Sequence, residues 1–339
     1  MATATEVQVT PERIMQMAWG YVPPLLLEAA IRHRVFDVLD SGPKNLSEVE
    51  KATGASARGL AGVMNALVGL DFLAKDKQGR YSLTPESETF LVSTKPSFQG
   101  GMIKHCSEQL IPRWLHLNEV VGTGNPVTPV NVEKSGGEFF HEFVLDIFPM
   151  SYPAAQTLAA HVNYGGTGAP VKVLDLAAGS GVWGIAQAQS SPRVQVTAVD
   201  WPEVIDVTKK TAARFGFADR FSFVEGDLLE AEFGSGYGLA TLGHILHSEG
   251  EVRSRKLLAK TFNALASGGT IAIQEFLVNK ERTGPVNGLF FALNMLVNTQ
   301  NGDTYSFEEI GAWLEGAGFR DPRLLESPGP SPLILAAKL

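Results

Sequence analysis

Cysteine is almost absent from this chain of 339 residues, in which Cys106 stands alone. One thiol cannot form an intramolecular disulfide or a cysteine-based metal site, and such a composition is typical of a reducing, cytoplasmic compartment. The sequence also lacks a run of about 18 apolar residues, so no membrane span is expected. Its amino terminus, residues 1–6, has no basic stretch followed by an apolar one, and no signal peptide is predicted.

Positive charge is also scarce. Lys and Arg number 28 against 36 Asp and Glu, which gives a formal net charge of -8. Nucleic-acid binders need clustered basic side chains to displace counterions from phosphates, so we expect no nucleic-acid partner. With 44% hydrophobic and 19% charged residues, the composition is that of a globular protein, and the length favours two domains.

Residues 1–100 predict short helices and a small hairpin. Apolar residues recur at helical spacing over 23–39, further helices are predicted over 45–53 and 56–70, and a polar turn lies between two short strands in 72–83. This pattern is typical of a winged helix. DNA binding is not expected, because these hundred residues hold ten basic and eleven acidic side chains and the third helix carries only Arg58. We therefore predict a packing and dimerisation domain, and hence a homodimer.

Residues 101–165 predict connecting helices that line a substrate pocket. From residue 166 onward, apolar strands alternate with helical segments, which indicates an α/β fold with a Rossmann-like, doubly wound sheet over 166–339. The last two strands surround a Pro- and Gly-rich turn and predict a closing antiparallel hairpin. The strands are predicted at Val171–Leu176, Val194–Val199, Phe221–Val224, Leu239–Leu242, Thr270–Gln274, Arg323–Glu326 and Pro332–Lys338.

The sharpest motif is the stretch Val173–Gly184, in which a buried strand leads into a Gly-rich turn that opens a helix. Gly179 and Gly181 allow a tight turn and a close approach of the backbone to a ligand. Asp200 ends the next strand, where its carboxylate can accept both hydroxyls of a ribose. Taken alone, this spacing also matches the dinucleotide fingerprint, and a turn without any ligand is a further alternative.

Two acidic positions favour S-adenosylmethionine over a dinucleotide. Asp175 lies just before the turn, where it would repel a pyrophosphate but suit a sulfonium and an ammonium group. Asp227, in the stretch Glu225-Gly-Asp, follows the third strand and can accept the adenine amino group. Three acids at three successive strand ends predict a nucleoside cofactor with a cationic tail.

A candidate base follows the fourth strand, in Gly243-His-Ile-Leu-His-Ser-Glu-Gly. His247 lies at the strand end where ligands bind in parallel sheets, and a neutral imidazole can take a proton from a hydroxyl. Glu275, at the end of the fifth strand, can orient this imidazole. Each of the two could alternatively be structural or surface-exposed, and for the rival His244 a structural role is favoured.

Together these residues resemble the class I, S-adenosylmethionine-dependent small-molecule O-methyltransferases of the plant caffeate and bacterial polyketide or phenazine type. The resemblance covers nearly the whole chain. It implies that His247 is the general base, that Glu275 orients it, and that Asp227 and Leu228 flank the adenine. The predicted cofactor-binding residues are Asp175, Ala177, Gly179, Gly181, Asp200, Trp201, Asp227, Leu228 and Gly243.

The resemblance also implies an acceptor pocket and shows departures from the family pattern. Ala177 stands where the first loop glycine is usual, and His247-Ser-Glu replaces the frequent His-Asp-Trp. A second supporting glutamate is missing, with Asp303 and Thr304 in the matching stretch. The predicted acceptor-binding residues, some of which could equally belong to the core, are Phe148, Met150, Tyr152, Asn294, Met295 and Asn298.

The predicted function is methyl transfer from S-adenosylmethionine to a phenol or enol hydroxyl of a small, mostly apolar molecule, with no metal. N- or C-methylation, or a non-methylating reaction in the same fold, is the nearest alternative. An NAD-dependent oxidoreductase and a winged-helix DNA-binding regulator are the alternatives from other classes.

Overall fold

The computed structural model describes residues 9–131, 133–162, 164, 168–329 and 331–339. The chain forms two compact units, the first ending at Leu110 and the second starting at Ile111. The three-part division at residues 100 and 165 stays a prediction. Its first boundary differs from the observed division because the helix that starts at Gly100 packs against the helix Val22–Arg32 of the first unit.

The first unit contains short helices and an antiparallel hairpin of β1 (Leu73–Lys75) and β2 (Tyr81–Leu83). A π-helical turn, Cys106–Leu110, ends the unit. Its core consists of buried side chains from the helices and the hairpin, including Phe36, Met64 and Leu73. Its helices are α1 (Glu12–Ala18), α2 (Val22–Arg32), α3 (Val35–Leu39), α4 (Leu46–Thr53), α5 (Ala57–Gly69), α6 (Pro85–Phe90) and α7 (Gly100–His105).

One predicted helix of this unit is divided in two. The periodicity over 23–39 predicts a single helix, but the chain leaves helical geometry between α2 and α3, where Arg34 has a left-handed backbone with φ of 58°. Helix α4 starts as its sequence suggests: the Asn45 side chain accepts the Glu48 N–H, and the Glu48 carboxylate accepts the Asn45 N–H. This reciprocal cap satisfies two amide groups that a helix start leaves unpaired.

The second unit is built on a seven-stranded sheet of the order β5-β4-β3-β6-β7-β9-β8 within the described residues. Neighbouring strands from β5 to β7 are parallel, while β9 pairs antiparallel with both β7 and β8. The predicted doubly wound sheet with a closing hairpin is confirmed. The strands are β3 (Val171–Leu176), β4 (Val194–Asp200), β5 (Phe221–Glu225), β6 (Tyr237–Gly243), β7 (Leu265–Gln274), β8 (Arg320–Leu325) and β9 (Leu333–Ala337).

Helices precede the sheet and cover both of its faces. One apolar cluster joins the sheet to α11, α12 and α13, and the other joins it to α14 and α16. None of the helices within the described residues combines the length and apolar character needed to span a bilayer. The helices are α8 (Ile111–Trp114), α9 (Leu117–Thr123), α10 (Glu133–Phe143), α11 (Phe148–Val162), α12 (Val182–Ser190), α13 (Pro202–Arg214), α14 (Leu246–Ala264), α15 (Val286–Asn298) and α16 (Phe307–Ala317), with a 3₁₀ turn at Ala218–Arg220.

The strand ends of the parallel part of the sheet share one edge. Leu176, Asp200, Glu225 and Gly243 end β3, β4, β5 and β6, and Gln274 ends β7 directly before Glu275. Residue pairs such as Asp200 with Glu225 and Gly243 with Gln274 lie side by side across neighbouring strands. The sheet therefore brings the predicted cofactor and catalytic residues to a single edge, as open parallel sheets do with their ligand sites.

Candidate active site

The glycine loop connects β3 to α12 through a run of left-handed backbone. Ala177, Gly179 and Gly181 have φ of 53°, 56° and 77°. A Cβ atom on Gly181 would lie 2.9 Å from the Thr208 methyl carbon, so both its conformation and its packing favour glycine. Ala177 adopts the same conformation with a Cβ, which costs about 1–2 kcal/mol. The loop thus keeps its shape despite the departure at this position.

Asp200 lies beside this loop at the end of β4. Its Oδ2 accepts the Gly179 N–H at 2.9 Å, and its Oδ1 accepts the Trp201 N–H at 2.8 Å. Burial raises the pKa of the Asp200 carboxyl to about 6, against the lowering effect of these two N–H groups. Among the described residues no Lys or Arg pairs with it, so its charge is available to a ligand.

Asp175 is turned toward the scaffold and not toward the loop surface. Its side chain is fully buried, accepting the Thr241 hydroxyl at 2.8 Å and the Gly184 N–H at 2.9 Å. Burial raises its pKa to about 7. These contacts attach the start of α12 to β6. The carboxylate therefore helps to hold the loop in place, and its contact with the cofactor stays a prediction.

Asp227 follows β5 and carries an arginine partner. Its Oδ1 accepts the Leu229 N–H at 2.9 Å, and its Oδ2 lies 2.6 Å from Arg253 on α14. The same guanidinium lies 2.6 Å from Glu249, a carboxylate whose pKa is raised by burial. Leu228 is buried beside Asp227. Arg253 therefore joins the strand end of β5 to the first turns of α14.

Gly243 and Trp183 pack closely together at the centre of the ligand-binding edge of the sheet. Gly243 ends β6, and a Cβ at this position would lie 2.0 Å from the indole nitrogen of Trp183 on α12. No other residue type fits without moving the indole. The glycine therefore belongs to the site through its backbone and its close packing.

His247 and Glu275 form a buried pair. His247 Nδ1 lies 2.6 Å from Glu275 Oε2, and the two side chains are 10% and 2% exposed. Glu275 Oε1 accepts the Leu246 N–H at 2.7 Å at the start of α14. Burial alone would raise the pKa of Glu275, but His247 and the backbone N–H groups outweigh it, so the pKa is lowered. The glutamate is therefore ionised and fixed at both oxygens.

Aromatic side chains surround the His247 imidazole. Phe291 on α15 meets its ring edge to face, with centroids 4.8 Å apart, and stacks on Phe276 at 3.9 Å. His244 packs on the other side of Phe276 at 4.8 Å, and its left-handed backbone has φ of 59°. Burial lowers the pKa of His244 to about 4, so its ring is neutral at physiological pH. These rings cover most of the base, whose side chain stays 10% exposed.

The face of α15 that carries Phe291 also carries the predicted acceptor residues at positions three, four and seven further along. Asn294 Oδ1 accepts the Trp114 indole N–H at 2.9 Å and the Asn298 amide at 3.0 Å. Asn298 is buried, and its Oδ1 has no hydrogen-bond partner in the described chain. Met295 is also buried. The structure thus brings Asn294, Met295 and Asn298 to the His247 side of the helix.

The acceptor residues predicted on α11 have different neighbours. Phe148 stacks on Tyr152 and on Phe215, and the Tyr152 hydroxyl donates to Gln189 at 2.6 Å. These contacts belong to the core cluster around α12, and none of them involves His247 or Glu275. The placement of Phe148 and Tyr152 favours the core alternative.

Met150 is partly buried, and its carbonyl oxygen faces Gly329 in the turn between β8 and β9. Neither Asp303 nor Thr304 supplies the missing second acid at the imidazole. The Asp303 carboxylate pairs with Arg282, and the Thr304 hydroxyl donates to Gly288. The Asp303 N–H does contact His247, but through the His247 carbonyl at 2.9 Å.

Several candidate residues are visible only in the structure. Arg253 bridges two acids, Phe276 and Phe291 enclose the base, and Trp114 donates to Asn294. Arg253 lies four residues after Glu249, a spacing that signals a helical ion pair. The aromatic residues carry no such signal, because their partners are distant in sequence.

The cofactor side of the edge fits S-adenosylmethionine. Asp200 presents a carboxylate that has no cationic side-chain partner among the described residues. It lies beside the glycine loop, whose left-handed backbone favours small residues. A sulfonium and an ammonium group suit this negative surface. Asp200 and Asp227 would hold the nucleoside, which supplies an activated methyl group.

Comparisons with known proteins agree with this geometry. Residues 167–320 match an O-methyltransferase domain, and residues 15–93 match an O-methyltransferase dimerisation domain. The 3-hydroxy-5-methyl-1-naphthoate 3-O-methyltransferase of Streptomyces sahachiroi is 30% identical over 97% of this chain and 95% of its own length. The acetylserotonin O-methyltransferase of Bos taurus is 28% identical over 96% and 97% of the two chains.

Solved structures show the same fold. A crystal structure from Nostoc punctiforme covers 98% of this chain and 100% of its own, with 29% identity and a TM-score of 0.89. Human N-acetylserotonin methyltransferase, solved with S-adenosylmethionine, has 24% identity and a TM-score of 0.85 over 99% of both chains. From its full-length relatives and its two matched domains, this chain belongs to the family of S-adenosylmethionine-dependent O-methyltransferases.

Proposed function

We propose that His247 is the general base that takes the proton from a hydroxyl group of a small aromatic acceptor. The observation that carries this proposal is the 2.6 Å contact between His247 Nδ1 and Glu275 Oε2, whose side chains are 10% and 2% exposed. An ionised glutamate keeps the proton on Nδ1, because the carboxylate accepts a hydrogen bond and cannot donate one. The lone pair of Nε2 then faces the acceptor.

Bound S-adenosylmethionine supplies a methyl group that its positive sulfur has already activated. The chain must then align the acceptor oxygen with this methyl, which can supply about 7–11 kcal/mol. Phe276 and Phe291 limit the contact of the imidazole with water, and Glu275 stabilises the imidazolium that forms as the proton moves. A general base in this position contributes about 10²–10⁴-fold to the rate.

The residues around His247 favour an aromatic acceptor that carries a phenol. Phe291, Phe276 and Met295 offer apolar surface, while the unpaired Oδ1 of Asn298 can accept one hydrogen bond from the acceptor. Two relatives act, by name, on a hydroxynaphthoate and on acetylserotonin, which are aromatic molecules. These observations support a phenolic acceptor over an aliphatic one.

The test is methyl transfer from radiolabelled S-adenosylmethionine to a panel of phenols, naphthols and the matching aromatic amines. We expect transfer to oxygen, identified by NMR of the product, and its loss in His247→Ala. A product methylated on nitrogen or carbon would favour the nearest alternative, which a relative named as an N,N-dimethyltransferase also represents. Calorimetry with NAD, run in parallel, tests the dinucleotide alternative.

We also propose that the chain works as a homodimer through its first unit, in the cytoplasm. Helix α1 has no buried residue, and Ile14, Met17 and Trp19 are exposed along it and just beyond its end. A second copy would cover this apolar surface, which agrees with the match of residues 15–93 to a dimerisation domain. Sedimentation at micromolar concentration tests the dimer, and a stable monomer there would exclude it.

A further inference from the structure

Two nitrogens beside the proposed base have no assigned partner. Both ring nitrogens of His244 are buried and make no hydrogen bond of good geometry within the described residues, and the Gln274 side chain beside the ring has an Oε1 that is likewise unpaired. Leaving buried polar atoms unpaired is unfavourable, because their lost hydration is not replaced. The backbone of His244 is itself in the left-handed region, with φ of 59°. A residue held there at such a cost points to a ligand that uses its nitrogens.

The geometry around His244 is that of a metal-binding set. Its ring nitrogen, that of His247 and a carboxylate oxygen of Glu275 all lie within 4.8 Å of one another. Two histidines and one glutamate are the ligands of a common class of zinc site. Zinc–nitrogen distances of about 2.0–2.1 Å place tetrahedral ligands about 3.3 Å apart. Side-chain rotations that move each donor by about 1 Å therefore complete the coordination.

The charges of these three groups also suit a cation. Glu275 supplies a carboxylate and the two histidines supply imidazole nitrogens, which are donor types that divalent transition metals bind. The set carries one buried negative charge, which a divalent ion would more than neutralise. His247 keeps 10% of its side chain exposed, and His244 is half-buried as a residue although its ring nitrogens are covered. Water can therefore take the fourth coordination position.

We propose that His244, His247 and Glu275 bind one divalent transition-metal ion, such as Zn²⁺, and that this ion blocks methyl transfer. Whichever ring nitrogen of His247 coordinates, the other then carries the proton, so no lone pair remains for the acceptor hydroxyl. The ion is an inhibitor of the enzyme and not its cofactor. Binding depends on the three donors alone, whereas inhibition also rests on the proposed role of His247.

Binding is tested on the purified full chain, after treatment with a chelator that is then removed. Zn²⁺ is titrated by calorimetry, and Co²⁺ replaces it for visible spectroscopy, because tetrahedral Co²⁺ absorbs strongly. The variants are His244→Asn and His247→Asn, since asparagine tolerates the left-handed backbone at 244. The control is His116→Asn, because His116 pairs with Glu119 at 3.5 Å on the surface without a third donor.

We expect one Zn²⁺ per chain and a tetrahedral Co²⁺ spectrum in the unmodified protein and in His116→Asn. Each of the two site variants should bind Zn²⁺ at least about 10-fold more weakly, the lower end of losses at altered metal sites. Retained affinity for S-adenosylmethionine shows that the variants are folded. No Zn²⁺ binding by the unmodified protein, or equal affinity in His244→Asn, would overturn the proposal.

Inhibition is measured separately, with Mg²⁺ as the control ion because it prefers oxygen ligands. Zn²⁺ should inhibit methyl transfer over the concentration range in which it binds, and His244→Asn should need at least about 10-fold more Zn²⁺ for the same fractional loss. Mg²⁺ should have no effect. If Zn²⁺ binds at these residues but His247→Ala transfers methyl at the normal rate, the base assignment fails while the metal site stands.

Discussion

The two ends of the ligand-binding edge hold their carboxylates in different ways. On the cofactor side, Asp175 is buried and Asp200 is half-buried, both accept backbone N–H groups, and burial raises their pKa values to about 7 and about 6. On the acceptor side, Glu275 is also buried, yet its pKa is lowered because His247 and the start of α14 lie against it. The same chemical group is thus poised for protonation at one end and held ionised at the other.

The difference follows from the groups that lie against each carboxylate. Glu275 has the His247 imidazole within hydrogen-bond distance, and this partner becomes positive when it takes up a proton. Asp200 has only dipoles around it, and a cationic cofactor completes its surroundings. The cofactor side should therefore respond to pH and to ligand, whereas the acceptor side should respond to changes within the His247 pair.

Removing the base is expected to give the largest effect. His247→Ala should lower kcat by about 10²–10⁴-fold, because general-base catalysis is lost. The affinity for S-adenosylmethionine, measured by calorimetry, should stay unchanged, because His247 lies on the acceptor side. A normal kcat in this variant would mean that catalysis does not depend on His247 at the acceptor side of the edge.

Removing the Asp200 carboxylate, which is predicted to bind the ribose, is expected to give the next largest effect, at the other end of the edge. Asp200→Ala should weaken S-adenosylmethionine binding by about 100-fold, because hydrogen bonds to charged groups contribute about 1.5–3 kcal/mol each. Calorimetry measures this loss, and thermal unfolding shows whether the variant keeps its fold. Unchanged affinity would show that the cofactor does not contact this strand end.

Acid is expected to weaken cofactor binding moderately. As the predicted ribose ligand, Asp200 would accept both hydroxyls only when ionised, so affinity should be full above its pKa of about 6 and fall as pH drops through that value. Between pH 7 and pH 5 the dissociation constant should rise about 10-fold. Asp200→Asn, which has no proton to gain, should show a flat profile over this range. If the wild-type profile is equally flat, the ionisation of Asp200 does not control cofactor affinity.

Cutting the arginine bridge is expected to give the smallest effect. Arg253→Met removes the cationic partner of Asp227 and Glu249. These partly exposed ion pairs should contribute about 0.2–1 kcal/mol, which corresponds to a loss of less than about 6-fold in cofactor affinity. Arg255→Met is the matched control, because Arg255 pairs with Glu251 on the surface two residues away. Equal losses in the two variants would assign the effect to general charge and not to Asp227.

Much of this site was predictable from sequence because it lies at strand ends. Apolar runs predict the strands, and parallel strands place their carboxyl ends on one edge, which brings Asp200, Asp227, His247 and Glu275 together. The contact between His247 and Glu275 was expected for the same reason. The division of one predicted helix at Arg34 was not, because its apolar periodicity continues across the break.

The orientation of side chains was outside what the sequence could predict. Asp175 occupies a strand position next to the loop, but its carboxylate turns inward because Thr241 and Gly184 offer buried donors. Phe148 and Tyr152 have the composition of an acceptor pocket, yet their contacts are with Phe215 and Gln189. Apolar composition does not distinguish a pocket from a core, because both are built from the same residues.

The sequence by itself determined the alternation of strands and helices, the glycine turn and the family, since local periodicity and short motifs encode each of them. Only the tertiary structure decided which charges balance one another. The pairing of Arg253 with Asp227 joins residues from separate elements. Burial and neighbouring charge set the pKa of a group, and both depend on distances that exist only once the chain has folded.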